Sequence, residues 1–162
     1  QTPLLKRLSF FCFELKYIQS SKRAVSVFEP KNTFKDKMTE NEISKLIVHA
    51  GYNIHQTIGP GLLESVYEEI LAYELRQLGL HVSRQQSIPV IWQKVKLDQG
   101  FRADLIVEEK VLIEIKSVET LAPVHHKQVL TYLKLTGLKL GLLINFNEAL
   151  FKNGIRRIAN KL

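Results

Sequence analysis

The sequence predicts an α/β domain over residues 38–162, a mixed β-sheet flanked by α-helices. Three observations lead there. Two stretches near the start of that span repeat apolar residues at helical spacing. Shorter stretches rich in Val, Ile and Leu follow, with turn residues between them. A third helical stretch separates those from a final continuous apolar run.

The first helix is expected from about Thr39 to Thr57. Thr39-Glu40-Asn41-Glu42 has the Ser/Thr-x-x-Glu pattern of a capping box, and Ile43, Leu46, Ile47, Ala50 and Ile54 form one apolar stripe. Ile58-Gly59-Pro60-Gly61 breaks it. The second helix is expected from about Leu62 to Leu78, with Leu63, Val66, Tyr67, Ile70, Leu71 and Leu78 as its core face and Gly79 as a left-handed cap. Residues 80–92 read as a strand in which Pro89 marks an edge or a bulge. Residues 95–107 and 111–117 read as two more strands joined by the turn Glu108-Glu109-Lys110. The third helix spans residues 123–136, between Pro123 in its first turn and Gly137 beyond its end. Leu140-Gly141-Leu142-Leu143-Ile144 is apolar throughout, as a strand covered on both faces is. Residues 148–162 predict a short turn or helix and a last strand.

Composition narrows the function classes. The 162 residues are 45% hydrophobic and 24% charged, which excludes global disorder, collagen and coiled coil. No apolar run approaches the roughly 18–20 residues of a membrane span, so no membrane role is expected. The lone cysteine, Cys12, excludes an intramolecular disulfide framework and a zinc cluster of several thiolates. It fits a reducing, cytoplasmic setting.

The net charge of +7 is uneven. Residues 1–37 hold eight Lys/Arg against three acids, and the other 125 residues hold fifteen against thirteen. This basic leader is expected to be a solvated, poorly ordered tail, or an extension upstream of a native start at Met38, the only methionine. Lys6 and Arg7 precede a short apolar run, but Glu14 and Lys16 break it and no small-residue cleavage site follows, so a secretory signal is not expected.

The residues that suggest chemistry are Asp104, Glu114 and Lys116. Glu114 and Lys116 are two apart on a predicted strand and share a face. A three-residue turn at 108–110 sets residue 107 against 111, which puts Asp104 opposite Glu114 and Arg102 opposite Lys116. Two adjacent carboxylates repel unless a cation lies between them. Magnesium or manganese suits such a pair, because it takes a few carboxylate oxygens, keeps waters and accepts a phosphate oxygen. Lys116 can then orient or deprotonate the attacking water, or offset developing charge. On the third helix Gln128 and Tyr132 are four apart, with His125 on the same side. His126 falls on the apolar side and reads as a core or boundary histidine. Glu64, in Gly61-x-x-Glu64-x-x-Tyr67, lies at the boundary of the second helix, within reach of a site beside the sheet.

Gly61-Leu62-Leu63-Glu64-Ser65-Val66-Tyr67 resembles the signature of the GxxExxY proteins, a branch of the PD-(D/E)XK nuclease superfamily. Phe101-Arg102-Ala103-Asp104-Leu105, Glu114-Ile115-Lys116, Gln128 to Lys134 and Gly141 to Phe146 resemble that family in the same order, over about residues 40–160. The resemblance implies a restriction-endonuclease-like fold. It implies Asp104 and Glu114 as metal-binding carboxylates, the Ile115 carbonyl as a further ligand, Lys116 as the catalytic lysine, and Glu64 as an acid that joins the site. Gln128 and Tyr132 resemble a motif of recombination-repair nucleases.

The expected function is therefore metal-dependent hydrolysis of phosphodiester bonds in nucleic acid, DNA before RNA. Asp104, Glu114 and Lys116 would be catalytic, with Gln128, Tyr132, Arg102 and His125 toward the substrate. The alternative is a non-catalytic module of the same fold that binds nucleic acid or a protein, favoured by the near-neutral charge of residues 38–162. A homo-oligomer and a protein partner are compatible with either.

Overall fold

The computed structural model describes residues 38–162, so the leader expected at residues 1–37 lies outside the described residues. The elements run α1 (Glu40–Ile58), α2 (Glu64–Gln77), β1 (Val82–Trp92), β2 (Val95–Val107), β3 (Val111–Lys116), α3 (Pro123–Thr136), β4 (Leu140–Asn145), a 3₁₀ turn (Phe151–Asn153) and β5 (Ile155–Ala159). One five-stranded sheet has the spatial order β1-β2-β3-β4-β5. β3 and β4 are parallel and every other neighbouring pair is antiparallel. A parallel pair needs a crossover, and α3 supplies it. The fold is thus the expected mixed sheet flanked by helices, restriction-endonuclease-like in architecture.

The sheet separates two cores. On one face α1 and α2 pack Ile43, Ile47, Ile54, Tyr67 and Leu71 against Leu105, Ile113 and Ile115. On the other, α3 packs Val129, Tyr132 and Leu133 against Ala103, Leu112 and Leu143. A fully buried aliphatic side chain of this kind contributes about 1.5–3 kcal/mol, so both cores are substantial. β4 is buried along its whole length, as its unbroken apolar run requires. No helix of the described residues is long and apolar enough to cross a membrane.

Local signals place most boundaries. Thr39 caps α1 in a capping box with Glu42, whose Oε2 accepts the Thr39 backbone N–H at 2.8 Å. Gly137 is left-handed just past α3. The β1–β2 register shifts between Ile88 and Val90, around Pro89, and β1 is an edge strand. Two expectations need correction. The buried face of α2 is Tyr67, Glu68, Leu71, Ala72 and Leu75, whereas Leu63, Val66 and Leu78 are exposed. The helix is rotated from its apolar pattern because Glu68 is buried in a polar contact with Arg84, whose Nε donates to its Oε1 at 2.9 Å. His126 is exposed rather than at a core boundary, because Val129, Tyr132 and Leu133 fill the face that meets the sheet.

Candidate functional site

The C-terminal end of β3, beside its parallel neighbour β4, gathers polar side chains from both faces of the sheet. Ligand sites of open α/β sheets form at such strand ends. The turn at Glu108-Glu109-Lys110 sets Val107 against Val111, and the Lys110 N–H donates to the Val107 carbonyl at 3.0 Å. This much of the register is as expected. The β2–β3 ladder ends at Leu105 against Ile113, however, one pair short of Asp104. There β2 changes faces: Leu105 and Val107 belong to the α1/α2 core, whereas Ala103 belongs to the α3 core. Opposite this point Gln85 of β1 has a left-handed backbone, with φ +50°.

The reversal decides which residues meet. Asp104 does not pair with Glu114 through the ladder. Its Oδ2 accepts the Ile115 backbone N–H at 2.8 Å, which ties β2 to β3 where regular pairing has stopped. Arg102 does not join Lys116. It alternates with Ala103 and with Phe101, whose ring contacts Tyr132 at 5.1 Å, so it lies on the other face and is exposed.

Glu114 is only 3% exposed. Its Oε1 accepts the Lys116 ammonium at 2.6 Å and the Gln128 amide at 3.0 Å, while its Oε2 is buried without a partner. Gln128 Nε2 also donates to the Tyr132 hydroxyl at 2.6 Å. The Gln128–Tyr132 pair therefore steadies Glu114, whereas the sequence suggested that both face the substrate. Tyr132 is buried in the α3 core, and burial pushes its hydroxyl pKa up. His125 is committed locally: its Nδ1 accepts the Ala122 N–H at 3.2 Å at the start of α3. Glu64 reaches the site from the other face, and its Oε1 accepts the Ser117 N–H at 2.9 Å just past β3.

The electrostatics follow from this crowding. Burial, and then the charge of Asp104, push the Glu114 carboxyl up to about 7 although Lys116 opposes them. Burial also raises Asp104 above its ordinary value, against the Ile115 N–H and the Lys116 charge. Burial disfavours the Lys116 ammonium, but the bond to Glu114 and the charges of Glu114, Glu64 and Asp104 outweigh it and raise its pKa. Lys116 is thus held protonated between carboxylates.

Asp104 and Glu114, whose Oε2 has no hydrogen-bond partner, are the carboxylates here that could hold a cation. Among the described residues no group of three or more His, Cys, Asp and Glu is gathered to hold an ion alone.

Several supporting residues gave no motif. Gln85 Nε2 bridges Glu68 Oε2 and Asp104 Oδ1, the latter at 3.4 Å. Asn145, fully buried, accepts the Val118 N–H at 3.0 Å and donates to the Val118 carbonyl at 2.8 Å, fixing the chain after Lys116. The Ser117 hydroxyl donates to the Leu62 carbonyl at 2.7 Å. Two signals were present. Glu68 is one helical turn past Glu64, and Asn145 is a polar residue closing an apolar strand.

The loop before α2 explains the Gly61-x-x-Glu64-x-x-Tyr67 spacing. Gly59 and Gly61 take φ of +78° and +109°, which side-chain-bearing residues rarely adopt. The Tyr67 hydroxyl donates to the Gly59 carbonyl at 2.6 Å and accepts the Leu62 N–H at 3.2 Å. The closed loop sets Glu64 against Ser117.

A family model described as the PD-(D/E)XK nuclease superfamily matches residues 41–158. No curated protein and no solved structure matches the chain. The matched span runs from the first turn of α1 into β5 and holds every residue of the cluster, in a mixed sheet flanked by helices. Fold, cluster and match agree, and this chain belongs to the PD-(D/E)XK nuclease superfamily.

Proposed function

We propose that this chain is a metal-dependent nuclease of the GxxExxY branch that hydrolyses phosphodiester bonds of nucleic acid, DNA before RNA. The observation that carries the reading is Glu114: a buried carboxylate with a free oxygen, a second carboxylate nearby and a lysine at 2.6 Å. A residue used only for packing or ion pairing gains nothing from a buried, unpartnered oxygen. Superfamily membership adds the nucleic-acid substrate and the general use of divalent ions.

Asp104 and Glu114 would hold magnesium or manganese, with the Ile115 carbonyl as a further donor and Glu64 joining from α2. When bound, the ion polarises the phosphoryl oxygen and acidifies water. The chain's own residues do the rest. Lys116, 2.6 Å from Glu114, serves to orient the nucleophile and to offset charge growing on the phosphate. Gln128 holds the Glu114 carboxylate in one orientation, and Tyr132 holds Gln128. Asp104 is aimed by the Ile115 N–H and by Gln85.

The test is digestion of labelled single- and double-stranded DNA and RNA with magnesium or manganese, with Lys116→Ala as control. The wild-type chain should cut. Lys116→Ala should lose on the order of 10²–10⁴ in rate, as for a positioned acid–base or charge-stabilising group, while metal binding survives. Wild-type protein that binds nucleic acid with metal present but never cuts it would transfer the reading to the non-catalytic module.

A further inference from the structure

Formal charge is divided along the folded chain. Residues 38–119 carry eight Lys/Arg against twelve Asp/Glu, while residues 120–162 carry seven against one, Glu148. The acidic part includes α2, with Glu64, Glu68, Glu69 and Glu74. The basic part is α3, β4 and β5, and neither α3 nor residues 151–162 contains an acid. Glu68 and Glu69 of α2 are paired with Arg84, and Arg157 of β5 reaches Asn41 of α1, so the excess of one sign lies along α3 and just past it, where exposed Lys127, Lys134, Lys139 and Lys161 draw a polyanion.

At the far end of α3, Lys134, Lys139 and Lys161 border an open cleft of about 520 Å³ with Gly137 and Asn160. All three lysines are exposed, and no acid of the described residues lines the cleft. Basic residues after a helix often answer its terminal carbonyls. Here Asn160 takes part of that role: its Nδ2 donates to the Leu133 carbonyl of the last turn at 3.3 Å and to the Leu138 carbonyl just past the helix at 3.2 Å. Lys127 lies seven residues before Lys134, on the same outward line of α3 and also exposed. From Gln128 at the site to Gly137 at the cleft the helix rises about 13 Å at 1.5 Å per residue.

We propose that nucleic acid held at the carboxylate site runs along α3, and that the Lys134/Lys139/Lys161 cleft grips a backbone phosphate about four nucleotides from the one cleaved, at 3.4 Å of rise per nucleotide. The inference rests on the nuclease reading and adds the path of the substrate to it.

The test compares two charge-matched double variants. Lys134→Gln with Lys139→Gln removes two cations of the cleft. Lys45→Gln with Lys94→Gln removes two exposed cations from the acidic part. All four are surface changes, and thermal denaturation confirms folding. Affinity for a labelled DNA duplex that extends past the cleft is measured from about 50 to 200 mM salt, in a Lys116→Ala background that keeps the duplex intact. The cleft variant should lose about 0.9 from the slope of log affinity against log salt, and roughly five- to tenfold in affinity at about 0.1 M salt. The control variant should keep both. Equal losses in the two variants, or no loss in the cleft variant, would overturn the cleft while wild-type cleavage still upheld the nuclease. Wild-type protein that neither binds nor cuts any nucleic acid would remove both readings.

Discussion

Glu114 gives the metal-free protein a pH dependence whose sign can be worked out. Its carboxyl rises from 4.5 to about 7 on folding. Below about pH 4.5 both the folded and unfolded chains hold the proton, and burial of the neutral group carries no electrostatic penalty. Between 4.5 and 7 the unfolded chain has released the proton and the folded chain has not, so stability falls as pH rises and stays lower above 7. Asp104 is shifted in the same direction and adds to the fall. At about 1.4 kcal/mol per unit the Glu114 contribution is at most about 3–4 kcal/mol. Glu114→Gln should flatten the profile, narrowing the stability difference between pH 5 and pH 8 by about 2 kcal/mol. Urea denaturation with a chelator at the two pH values checks this, and parallel profiles for wild type and variant would show that Glu114 is not the group responsible. The residues of this cluster were legible in the sequence as types and spacings. Their geometry was only partly so. The 108–110 turn announced the Val107–Val111 register, but the face reversal at Asp104 depends on a left-handed Gln85, a residue type that gives no turn signal.

The loop into α2 and the end of β4 are where whole elements hold the cluster in place. Tyr67→Phe keeps the ring that stacks on Phe146 at 4.3 Å but strands the Gly59 carbonyl and the Leu62 N–H. It should cost about 1–2 kcal/mol and weaken divalent-ion binding through Glu64. Denaturant melts and calorimetric titration with manganese measure the two effects, and a variant unchanged in both would leave the hydroxyl without a role. Asn145→Ala leaves the Val118 N–H and carbonyl without their partner. It should cost about 2–3 kcal/mol, the upper range for orphaned partly buried groups, and chemical denaturation reads the loss directly. Element identity was legible because periodicity and turn residues agree along most of the chain. The face of α2 was not. A buried Glu68 makes sense only once Arg84 and Gln85 come across from β1, and no local pattern announces a partner sixteen residues away.

At the scale of the molecule, an ion held by Asp104 and Glu114 binds the folded chain and not the unfolded one. Magnesium or manganese at a hundred times its dissociation constant should therefore add about 2.7 kcal/mol of stability, and raise the melting temperature by several degrees. Asp104→Asn with Glu114→Gln should abolish that rise. A double variant that keeps it would place the ion elsewhere. The mixed architecture was legible from the order of helical and strand-like stretches. The meeting of Lys134, Lys139 and Lys161 at one cleft was not, because twenty-seven positions separate the first from the last.

The parallel pairing of β3 with β4 also fixes when the cluster can exist. Val111 of β3 meets Leu140, twenty-nine positions later, and the residues that hold Glu114 and the chain after Lys116 come after it: Gln128 and Tyr132 on α3 for Glu114, and Asn145 for Val118. A chain being synthesised from its N-terminus therefore carries Asp104, Glu114 and Lys116 well before it has a scaffold for them. Until α3 and β4 dock, Glu114 is an ordinary solvated carboxylate of ordinary acidity. Parallel, non-local pairings are slow to form because loop closure precedes any reward. The cluster is thus assembled late, and a ribosome-bound fragment ending before β4 would lack it.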